Sequence, residues 1–438
     1  MKLIKILFLC LAFCCSINLK ASSYSDFYKQ FSDSTLRLDY VFGGNTKGSQ
    51  IFLVSQSKQK GWAGRHKRLN EVPLKGNGNI IVKSPEKGDT LYINSFSTLF
   101  QEWLNMPELL SVPQSFENSF MVPLPLREAD ITVTLRNNKG DEIASLTHRY
   151  RPEDELVKRI SHNPLPYKYI HKGNSPEKAI DLAILAEGYT ADEMESFIET
   201  AKQIGEEILS YEPFSSNKDK FNIVAVLTPS EESGVSIPRK NEWINSRYDS
   251  HFSTFYSDRY LTSPRVFKMH QDLEGIPYEY ILMVVNTDEY GGGGIFNSYQ
   301  IASANNKFTL PVSVHEFGHS FGGLADEYNY QDTEDTTYLE NIEPWEPNIT
   351  TLVDFNSKWK DMVSPDTQIP TPSEYNPHEE NKSIDVESIK LGAYEGAGYK
   401  KTGIYRPSVT CRMRDNYFPI FCKVCQKSLS ETIDFYTH

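Results

Sequence analysis

The sequence predicts a multidomain α+β protein, in which an N-terminal β-sandwich precedes an α/β domain. The chain has 438 residues, which is more than one domain usually contains. Within residues 22–150, several stretches alternate apolar and polar residues with a period of two, as in strands with one buried face. The part that follows opens with a continuous apolar strand and an amphipathic helix, a pattern typical of a mainly parallel sheet.

Residues 1–21 are predicted to be a signal peptide. Two lysines precede an apolar run that is too short to span a bilayer comfortably, and cleavage is expected after Ala21. A lipoprotein anchor at Cys14 or Cys15 is disfavoured because the bulky Phe13 precedes them. The mature protein is therefore expected to be exported, to the periplasm, the cell surface or the medium.

The charge of the chain argues against two classes of partner. The formal net charge is -13 at pH 7, which disfavours binding to nucleic acid and to an anionic membrane surface. After the signal peptide, no segment is long and apolar enough to be predicted as a transmembrane helix. The substrate must therefore be argued from the motifs.

Residues 22–150 are predicted to form the β-sandwich. A hairpin turn is expected at Asn137–Gly140, before the strand Glu142–Tyr150. The alternating apolar positions are Leu36, Leu38, Tyr40, Phe42, Ile131, Val133 and Leu135. Three aromatic residues are candidates for a ligand surface, although in a sandwich such residues usually belong to the core. They are Trp62, His66 and Trp103.

A charged, proline-containing linker at 151–175 leads into the second domain, residues 176–438. The apolar run Ala179–Ala186 predicts a buried strand, and Thr190–Glu193 forms a capping box that opens a helix. Apolar residues spaced by three and four then predict an amphipathic helix. Two further strands are predicted at Phe221–Leu227 and Tyr278–Val285.

A run of four glycines, Gly291–Gly294, precedes a predicted strand at Ile295–Ala304. Because neither Lys-Ser nor Lys-Thr follows the run and no helix begins there, a phosphate loop is rejected. The glycines are expected to form a flexible loop, and the strand after them to lie at the edge of the sheet. Such an edge can hold an extended peptide through main-chain hydrogen bonds.

The strongest functional motif is H-E-x-x-H, formed by His315, Glu316 and His319. On a helix, residues four apart lie on one face, so both imidazoles can bind one metal ion. Glu316 projects near the open side of that ion, where it can take a proton from a water molecule. The motif therefore predicts a catalytic Zn2+ site.

A catalytic zinc usually has three protein ligands, and Asp326 is the predicted third. A continuous helix would carry Asp326 about 16 Å along the axis from the first histidine, so the chain must turn back. Gly322 and Gly323 stand where glycine can end a helix. In the metzincin pattern H-E-x-x-H-x-x-G-x-x-H the third ligand comes one residue earlier, at Ala325 here, which cannot bind metal. Glu327 is the alternative third ligand.

The cysteines that follow the signal peptide are Cys411, Cys422 and Cys425. In an oxidising compartment one disulfide is expected, which joins Cys411 to one of the other two and leaves a thiol unpaired. A zinc site at Cys422-x-x-Cys425 is the alternative, but the sequence shows no second pair of ligands for it.

Met413 is a candidate for the methionine that metzincins place in a tight turn below the metal, with an ordinary core methionine as the alternative. A tyrosine near this turn, Tyr417 or Tyr405, is a candidate for assisting the oxyanion. Both suggestions depend on the zinc motif, because neither residue type points to catalysis by itself.

The stretch His315–Tyr328 closely resembles the active site of the IgA peptidase family of bacterial zinc metallopeptidases. Tyr394–Ala397 and Gly403–Pro407, which lead into Cys411–Arg414, are similar to the C-terminal part of that family. The resemblance covers residues 175–438 well and the N-terminal domain by position. It implies a secreted zinc endopeptidase of metzincin-like fold. It does not imply that immunoglobulin A is the substrate, because specificity depends on pockets outside the motif.

The sequence therefore predicts a zinc endopeptidase that acts on a protein or peptide. Zinc held by His315, His319 and Asp326 would activate water, and Glu316 would be the general base that later protonates the leaving amine. One alternative is an inactive peptidase-fold protein that attaches to a glycan or protein, which the intact motif disfavours. Another is a zinc hydrolase acting on a non-peptide bond, and the predicted edge strand favours a peptide instead.

Overall fold

The computed structural model describes residues 24–45, 47–106, 112–161, 163–330, 337–372 and 389–438. The predicted signal peptide lies outside the described residues. The helices of the described part are α1 (Tyr24–Gln30), α2 (Leu99–Trp103), α3 (Met194–Ile208), α4 (Val266–Asp272), α5 (Thr309–Ser320) and α6 (Lys423–Thr437). None of these helices has the length and apolar character needed to cross a bilayer.

Eight strands form two sheets in the N-terminal part of the molecule. They are β1 (Phe31–Asn45), β2 (Gly48–Lys60), β3 (Gly78–Lys83), β4 (Thr90–Phe96), β5 (Gln114–Pro125), β6 (Ala129–Arg136), β7 (Glu142–Tyr150) and β8 (Lys158–Arg159). The sheet orders are β5-β1-β2-β8 and β4-β3-β6-β7. All neighbours are antiparallel except β2 and β8.

The two N-terminal sheets enclose one apolar core. Side chains that point inward from both sheets, such as Leu38, are fully buried in a single cluster. The aromatic residues considered for a ligand surface are buried as well. Trp62 and Trp103 belong to the core, and the ring of His66 lies 4.2 Å from that of Phe27. These three residues are therefore structural.

The second part of the chain contains a six-stranded sheet. Its strands are β9 (Tyr167–Lys172), β10 (Ile180–Glu187), β11 (Phe221–Val226), β12 (Tyr280–Val285), β13 (Gly292–Gly294) and β14 (Gln300–Ser303). Their order is β13-β14-β12-β10-β11-β9. The four central strands run parallel and the two outer strands run antiparallel to their neighbours, as the apolar composition of the inner strands predicts.

Helices cover both faces of this sheet, which explains the unbroken apolar runs in its central strands. On one face β10, β11 and β12 pack against α3, α5 and α6, and on the other face against α4. The predicted capping box before α3 is present, because Thr190 and Glu193 bond each other's backbone N–H groups. A small hairpin of β15 (Tyr394–Ala397) and β16 (Lys400–Arg406) completes the domain.

The predicted linker at 151–175 contains regular structure that the sequence pattern did not reveal. Its strand β8 joins the first N-terminal sheet, and its strand β9 forms an edge of the six-stranded sheet. Both strands are short, and β8 has only two residues. Alternation over so few residues is too weak a signal to predict a strand.

The predicted edge strand at Ile295–Ala304 is wrong in position. Its strand β14 lies inside the sheet, and the glycine strand β13 forms the edge beside α5. A Cβ atom on Gly292 would lie 2.7 Å from Oε1 of Glu316, so only glycine allows the backbone to pass this close to the helix. On its outer side, β13 is joined to Tyr260 by an isolated bridge at Gly292.

Candidate metal centre

Helix α5 presents the two motif histidines to a cavity. His315 and His319 lie on one face because they are four residues apart, and their Nε2 atoms are 3.0 Å from each other. On the opposite side of the helix, Val314 and Phe317 are fully buried in the core. This packing fixes the direction in which the histidines point.

The chain reverses after α5 at the two glycines that the sequence singled out. Gly323 has φ +55°, in the left-handed region that glycine adopts with the least strain. Gly322 is needed for a different reason, because a Cβ atom there would lie 2.4 Å from Cδ2 of Leu429 on α6. One glycine therefore allows the turn, and the other allows α6 to pack against it.

The reversal returns Asp326 to the histidines. Its Oδ1 atom lies 2.9 Å from Nε2 of His315 and 3.3 Å from Nε2 of His319. The neighbouring Glu327 points elsewhere, with its Oε1 atom 3.2 Å from Sγ of Cys425. Of the two acids that the sequence offered as third ligand, the structure thus brings Asp326 to the histidines.

The other ring nitrogens of the histidines define which tautomer is present. Nδ1 of His315 lies 3.0 Å from the carbonyl oxygen of Arg412, and Nδ1 of His319 lies 2.6 Å from that of Leu324. Because a carbonyl only accepts hydrogen bonds, each Nδ1 carries a hydrogen and each Nε2 can present a lone pair.

These donor atoms fit a zinc ion. Oδ1 of Asp326 is buried and accepts no hydrogen bond of regular geometry, although two histidine nitrogens lie near it. In a tetrahedral site with bonds of about 2.0–2.1 Å, ligand atoms are roughly 3.3 Å apart. The three atoms here, at 2.9 to 3.3 Å, have nearly that spacing. Two imidazoles and a carboxylate are a usual ligand set for zinc.

The electrostatics agree with a cation at this position. Burial alone would lower the pKa of His319, but the carboxylate of Asp326 outweighs it and raises that pKa to about 9. Burial likewise opposes ionisation of Asp326, and the two histidines nevertheless hold its pKa well below the usual value. Without a metal, a proton on His319 would therefore compensate the charge of the Asp326 carboxylate. With a metal bound, the ion would compensate that charge instead.

The hairpin of β15 and β16 holds the Asp326 carboxylate in place. The hydroxyl of Tyr399, between the two strands, donates to Oδ2 of Asp326, and the N–H of Gly398 bonds the Asp326 carbonyl at 2.9 Å. Burial raises the pKa of Tyr399 well above its usual value, so its hydroxyl keeps the proton it donates. Outer partners of this kind orient ligand carboxylates in metal sites.

Glu316 lies beside the histidines and faces β13. It offers a carboxylate oxygen within 4.8 Å of the ligand nitrogens of His315 and His319. Burial raises the pKa of Glu316, while the two histidines act in the opposite direction. A buried carboxyl with a raised pKa is suited to accept and return a proton.

Met413 is in contact with α5 at the level of the motif. A Cβ atom on Gly318 would lie 2.6 Å from Sδ of Met413, and Met413 is fully buried. The same loop supplies the Arg412 carbonyl that fixes His315, and the Met413 carbonyl accepts the N–H of Glu327 at 2.8 Å. The loop thus supports both the helix and the segment that carries Asp326.

The site opens into a cavity of about 580 Å3. Both parts of the chain line it, since Glu102 of α2 accepts a hydrogen bond from the hydroxyl of Tyr260 within its wall. Further wall residues are Arg259, Tyr290, Phe296, Tyr328, Tyr330 and Trp345. A cavity of this volume, lined by both aromatic and charged side chains, is typical of a substrate site.

Comparison with known families identifies the family of the chain. The family described as IgA Peptidase M64 matches residues 169–387 and 379–433. The chain belongs to this family. The description Peptidase M64 N-terminus matches residues 26–147, and no curated protein matches the chain. Membership in IgA Peptidase M64 indicates a peptidase, and it agrees with a metal-binding group of residues in the structure.

Neither tyrosine suggested for the oxyanion lines the cavity of this IgA Peptidase M64 member. Tyr417 is 74% exposed and packs against Phe308, and the hydroxyl of Tyr405 lies 3.5 Å from Glu395. Both suggestions are therefore wrong. They rested on closeness to Met413 in sequence, and neither side chain lines the cavity.

The predicted disulfide is also wrong. Cys411, Cys422 and Cys425 are all buried free thiols, and Sγ of Cys411 is 3.8 Å from Sγ of Cys425. A disulfide would require a sulfur–sulfur distance of about 2.05 Å. The three cysteines are gathered in one place, as their closeness in sequence suggested, but they are not joined.

Two functional candidates escaped the sequence argument. The guanidinium of Arg259 lies 5.4 Å from the ring centre of Tyr328, and its Nη2 atom is 3.2 Å from the Tyr328 hydroxyl. The Tyr328 ring in turn stacks beside His315. Arg259 lies outside any motif, so no signal pointed to it. Tyr328 follows Asp326 by two residues, and that closeness to a predicted ligand was a usable signal.

Proposed function

We propose that the protein is a zinc-dependent endopeptidase whose metal is held by His315, His319 and Asp326. The observation that carries this proposal is the convergence of three ligand atoms within 3.3 Å of one another, beside a buried glutamate at a cavity. Three protein ligands leave one position open, which is typical of catalytic zinc rather than structural zinc.

The catalytic domain is further proposed to be metzincin-like. Support comes from the contact of Met413 with α5, as in a Met-turn, and from Gly322 and Gly323 at the reversal before the third ligand. The one-residue shift that places Asp326 after Ala325 distinguishes this chain from the H-E-x-x-H-x-x-G-x-x-H pattern. Export through the predicted signal peptide would put the activity outside the cytoplasm.

Zinc bound at this site would polarise a water molecule and the carbonyl of the scissile bond. Glu316 accepts the proton of the attacking water and then donates it to the leaving amine, a role that its raised pKa suits. Burial raises the pKa of Tyr328 well above its usual value, so Tyr328 keeps its hydroxyl proton. With its oxygen held by Arg259, that hydroxyl can donate to the developing oxyanion.

The proposed substrate is an extended peptide that passes along β13. This strand lies directly against Glu316, so a peptide beside it would bring a carbonyl close to the proton-transferring carboxylate. The Tyr260 bridge at Gly292 occupies part of the outer edge, so the substrate would be held over the remainder of the strand. Residues of both domains would contact its side chains, since both line the cavity.

The decisive test replaces Glu316 by Gln, which preserves shape and removes the proton acceptor. We expect Glu316→Gln to keep its zinc and to lose about 10²–10⁴-fold in the rate of peptide-library cleavage. The matched control is Glu206→Gln, on the exposed side of α3, which should cleave like the wild type. Mass spectrometry of the products should show internal cleavage sites.

Three outcomes would contradict the proposal. Equal cleavage by Glu316→Gln and the wild type would remove Glu316 from the mechanism. Stepwise release of terminal residues would indicate an exopeptidase. A zinc-loaded wild type that cleaves no peptide or protein would favour the alternative function, a binding protein built on a peptidase fold.

A further inference from the structure

Four acidic or thiol side chains meet on the far side of the Asp326 segment. Glu327, Cys411, Cys422 and Cys425 each offer one ligand atom, and these four atoms all lie within 4.8 Å of one another. Their side chains are buried, and Glu327, Cys411 and Cys425 are completely so. They come from three segments: the chain after α5, the loop before Met413, and the start of α6.

The distances within this cluster are those of a metal site. Sγ of Cys411 is 3.8 Å from Sγ of Cys425, and Sγ of Cys425 is 3.2 Å from Oε1 of Glu327. Zinc–sulfur bonds of about 2.3 Å at tetrahedral angles place two sulfur ligands roughly 3.8 Å apart. The cysteines are therefore too far apart for a disulfide and correctly spaced to share an ion.

The polar groups of the cluster have fewer partners than their burial requires. The side-chain N–H of Asn348 donates to Oε1 of Glu327 at 2.9 Å, but Oε2 of Glu327 is buried with no hydrogen-bond partner. A buried polar atom without a partner destabilises the fold. A divalent cation among three sulfurs and a carboxylate would supply the missing interaction.

The start of α6 directs a backbone N–H group at one of the sulfurs. Cys422 is the N-cap residue of this 15-residue helix, and its backbone N–H donates to Sγ of Cys411 at 3.2 Å. Cys425 lies in the first turn, near the positive end of the helix dipole. Backbone N–H groups that point at sulfur stabilise thiolates, the form in which cysteine binds metal.

We propose that Glu327, Cys411, Cys422 and Cys425 bind a second zinc ion in a closed, structural site. Four protein ligands leave no open position, which separates this site from the one at the histidines. The sequence offered only Cys422-x-x-Cys425 for zinc, because the other two ligands come from distant segments. This proposal does not depend on the peptidase activity.

The zinc ion of the cysteine site would help to position the zinc ligand Asp326 of the histidine site. Glu327 follows Asp326 directly, and Cys411 precedes Met413 by two residues. The Glu327 N–H also bonds the Met413 carbonyl at 2.8 Å. An ion that joins Glu327 to Cys411 and α6 would therefore hold the Asp326 carboxylate in register with the histidines.

Metal analysis of the full-length protein tests the proposal. We expect two zinc ions per chain in the wild type, one in Cys425→Ser, one in Asp326→Asn, and none in the double variant. Ser430→Ala, on the same helix, is the matched control and should keep both. A wild type with one zinc that is lost entirely in Asp326→Asn would overturn the second site, as would mass evidence for a disulfide among the three cysteines.

A measurement on the wild type alone keeps the proposal falsifiable if Cys425→Ser fails to fold. Replacement of zinc by Co2+ should produce a thiolate-to-cobalt charge-transfer absorption, which the histidine and aspartate ligands cannot give. Chelation should make the three thiols reactive towards iodoacetamide. Absence of the absorption in fully cobalt-loaded protein would show that the cysteines do not bind the metal.

Discussion

Asp326 and Glu327 are adjacent in sequence, equally acidic and both buried, yet they face two different clusters. Asp326 joins two imidazoles at the wall of a cavity, whereas Glu327 joins three thiols in the interior. Three ligands at a cavity leave room for a substrate, and four ligands in the interior do not. Under the two proposals, one short segment serves catalysis through Asp326 and stability through Glu327.

The pKa values of the two acids shift in opposite directions. Burial opposes ionisation of both, but the histidines hold the pKa of Asp326 well below its usual value. Burial, followed by the Cys422 sulfur, raises the pKa of Glu327 to about 8. Asp326 is thus compensated by protonated imidazole when metal is absent. At Glu327 the Asn348 amide, the Cys425 thiol and the charge of Arg406 lower the pKa, but burial outweighs them.

The largest expected effects come from substituting Asp326 and Glu327 one at a time. Asp326→Asn should lose the histidine-site zinc and more than about 100-fold in activity, because even an outer partner of a ligand is worth 10–100-fold. Glu327→Gln should weaken only the cysteine-site zinc, with a fall in melting temperature and a much smaller loss of activity. Zinc content, cleavage rate and thermal melting are measured on both variants. If both variants lost the same zinc ion, the two acids would belong to a single metal site.

The sequence predicted the parts of this comparison that depend on local spacing. His315 and His319 share a helix, and the glycines after α5 explain how Asp326 could return to them. Glu327, 98 residues from Cys425, was offered only as the alternative third ligand, because no periodic pattern links positions so far apart. Its true neighbours depend on where α6 docks, which is a tertiary property.

The fold likewise contains features that local sequence patterns predict and features that depend on tertiary packing. The buried strands, the capping box at Thr190 and the helix after it could be predicted because burial and capping leave patterns within a few residues. The strand β13 could not, since a run of glycines has no side-chain pattern and low strand propensity. The strand β13 can lie against α5 because its glycines have no side chains. That close approach is visible only in the packed structure.

A smaller effect is expected from Tyr399→Phe, which removes the hydroxyl that donates to Oδ2 of Asp326. Zinc affinity at the histidine site should fall about 10–100-fold, because an outer partner orients its ligand. The cysteine-site zinc should be unaffected. Competition with a chromophoric chelator measures both affinities. Tyr330→Phe, on the neighbouring ring, is the control, and an equal loss in the two variants would show a general effect of the aromatic wall.

The smallest expected effect on either metal comes from Asp181→Asn in β10, a buried acid that belongs to neither cluster. Burial raises the pKa of Asp181 from 3.8 to about 7, although Asn222 donates to its Oδ1 at 2.8 Å. The folded protein therefore binds this proton more tightly than the unfolded chain does. It loses stability as pH rises from about 4 to 7, by up to roughly 4 kcal/mol at about 1.4 kcal/mol per pKa unit.

Asp181→Asn should consequently raise the melting temperature more at pH 8 than at pH 5, with zinc content and activity unchanged. The exposed Asp192→Asn serves as the control. Equal stabilisation by Asp181→Asn at both pH values would mean that Asp181 is not protonated in the fold. The expected result would show that the fold becomes more stable when a buried acid that binds no metal loses its charge. The same change at Asp326 or Glu327 should instead weaken zinc binding, because there the negative charge is proposed to hold the metal.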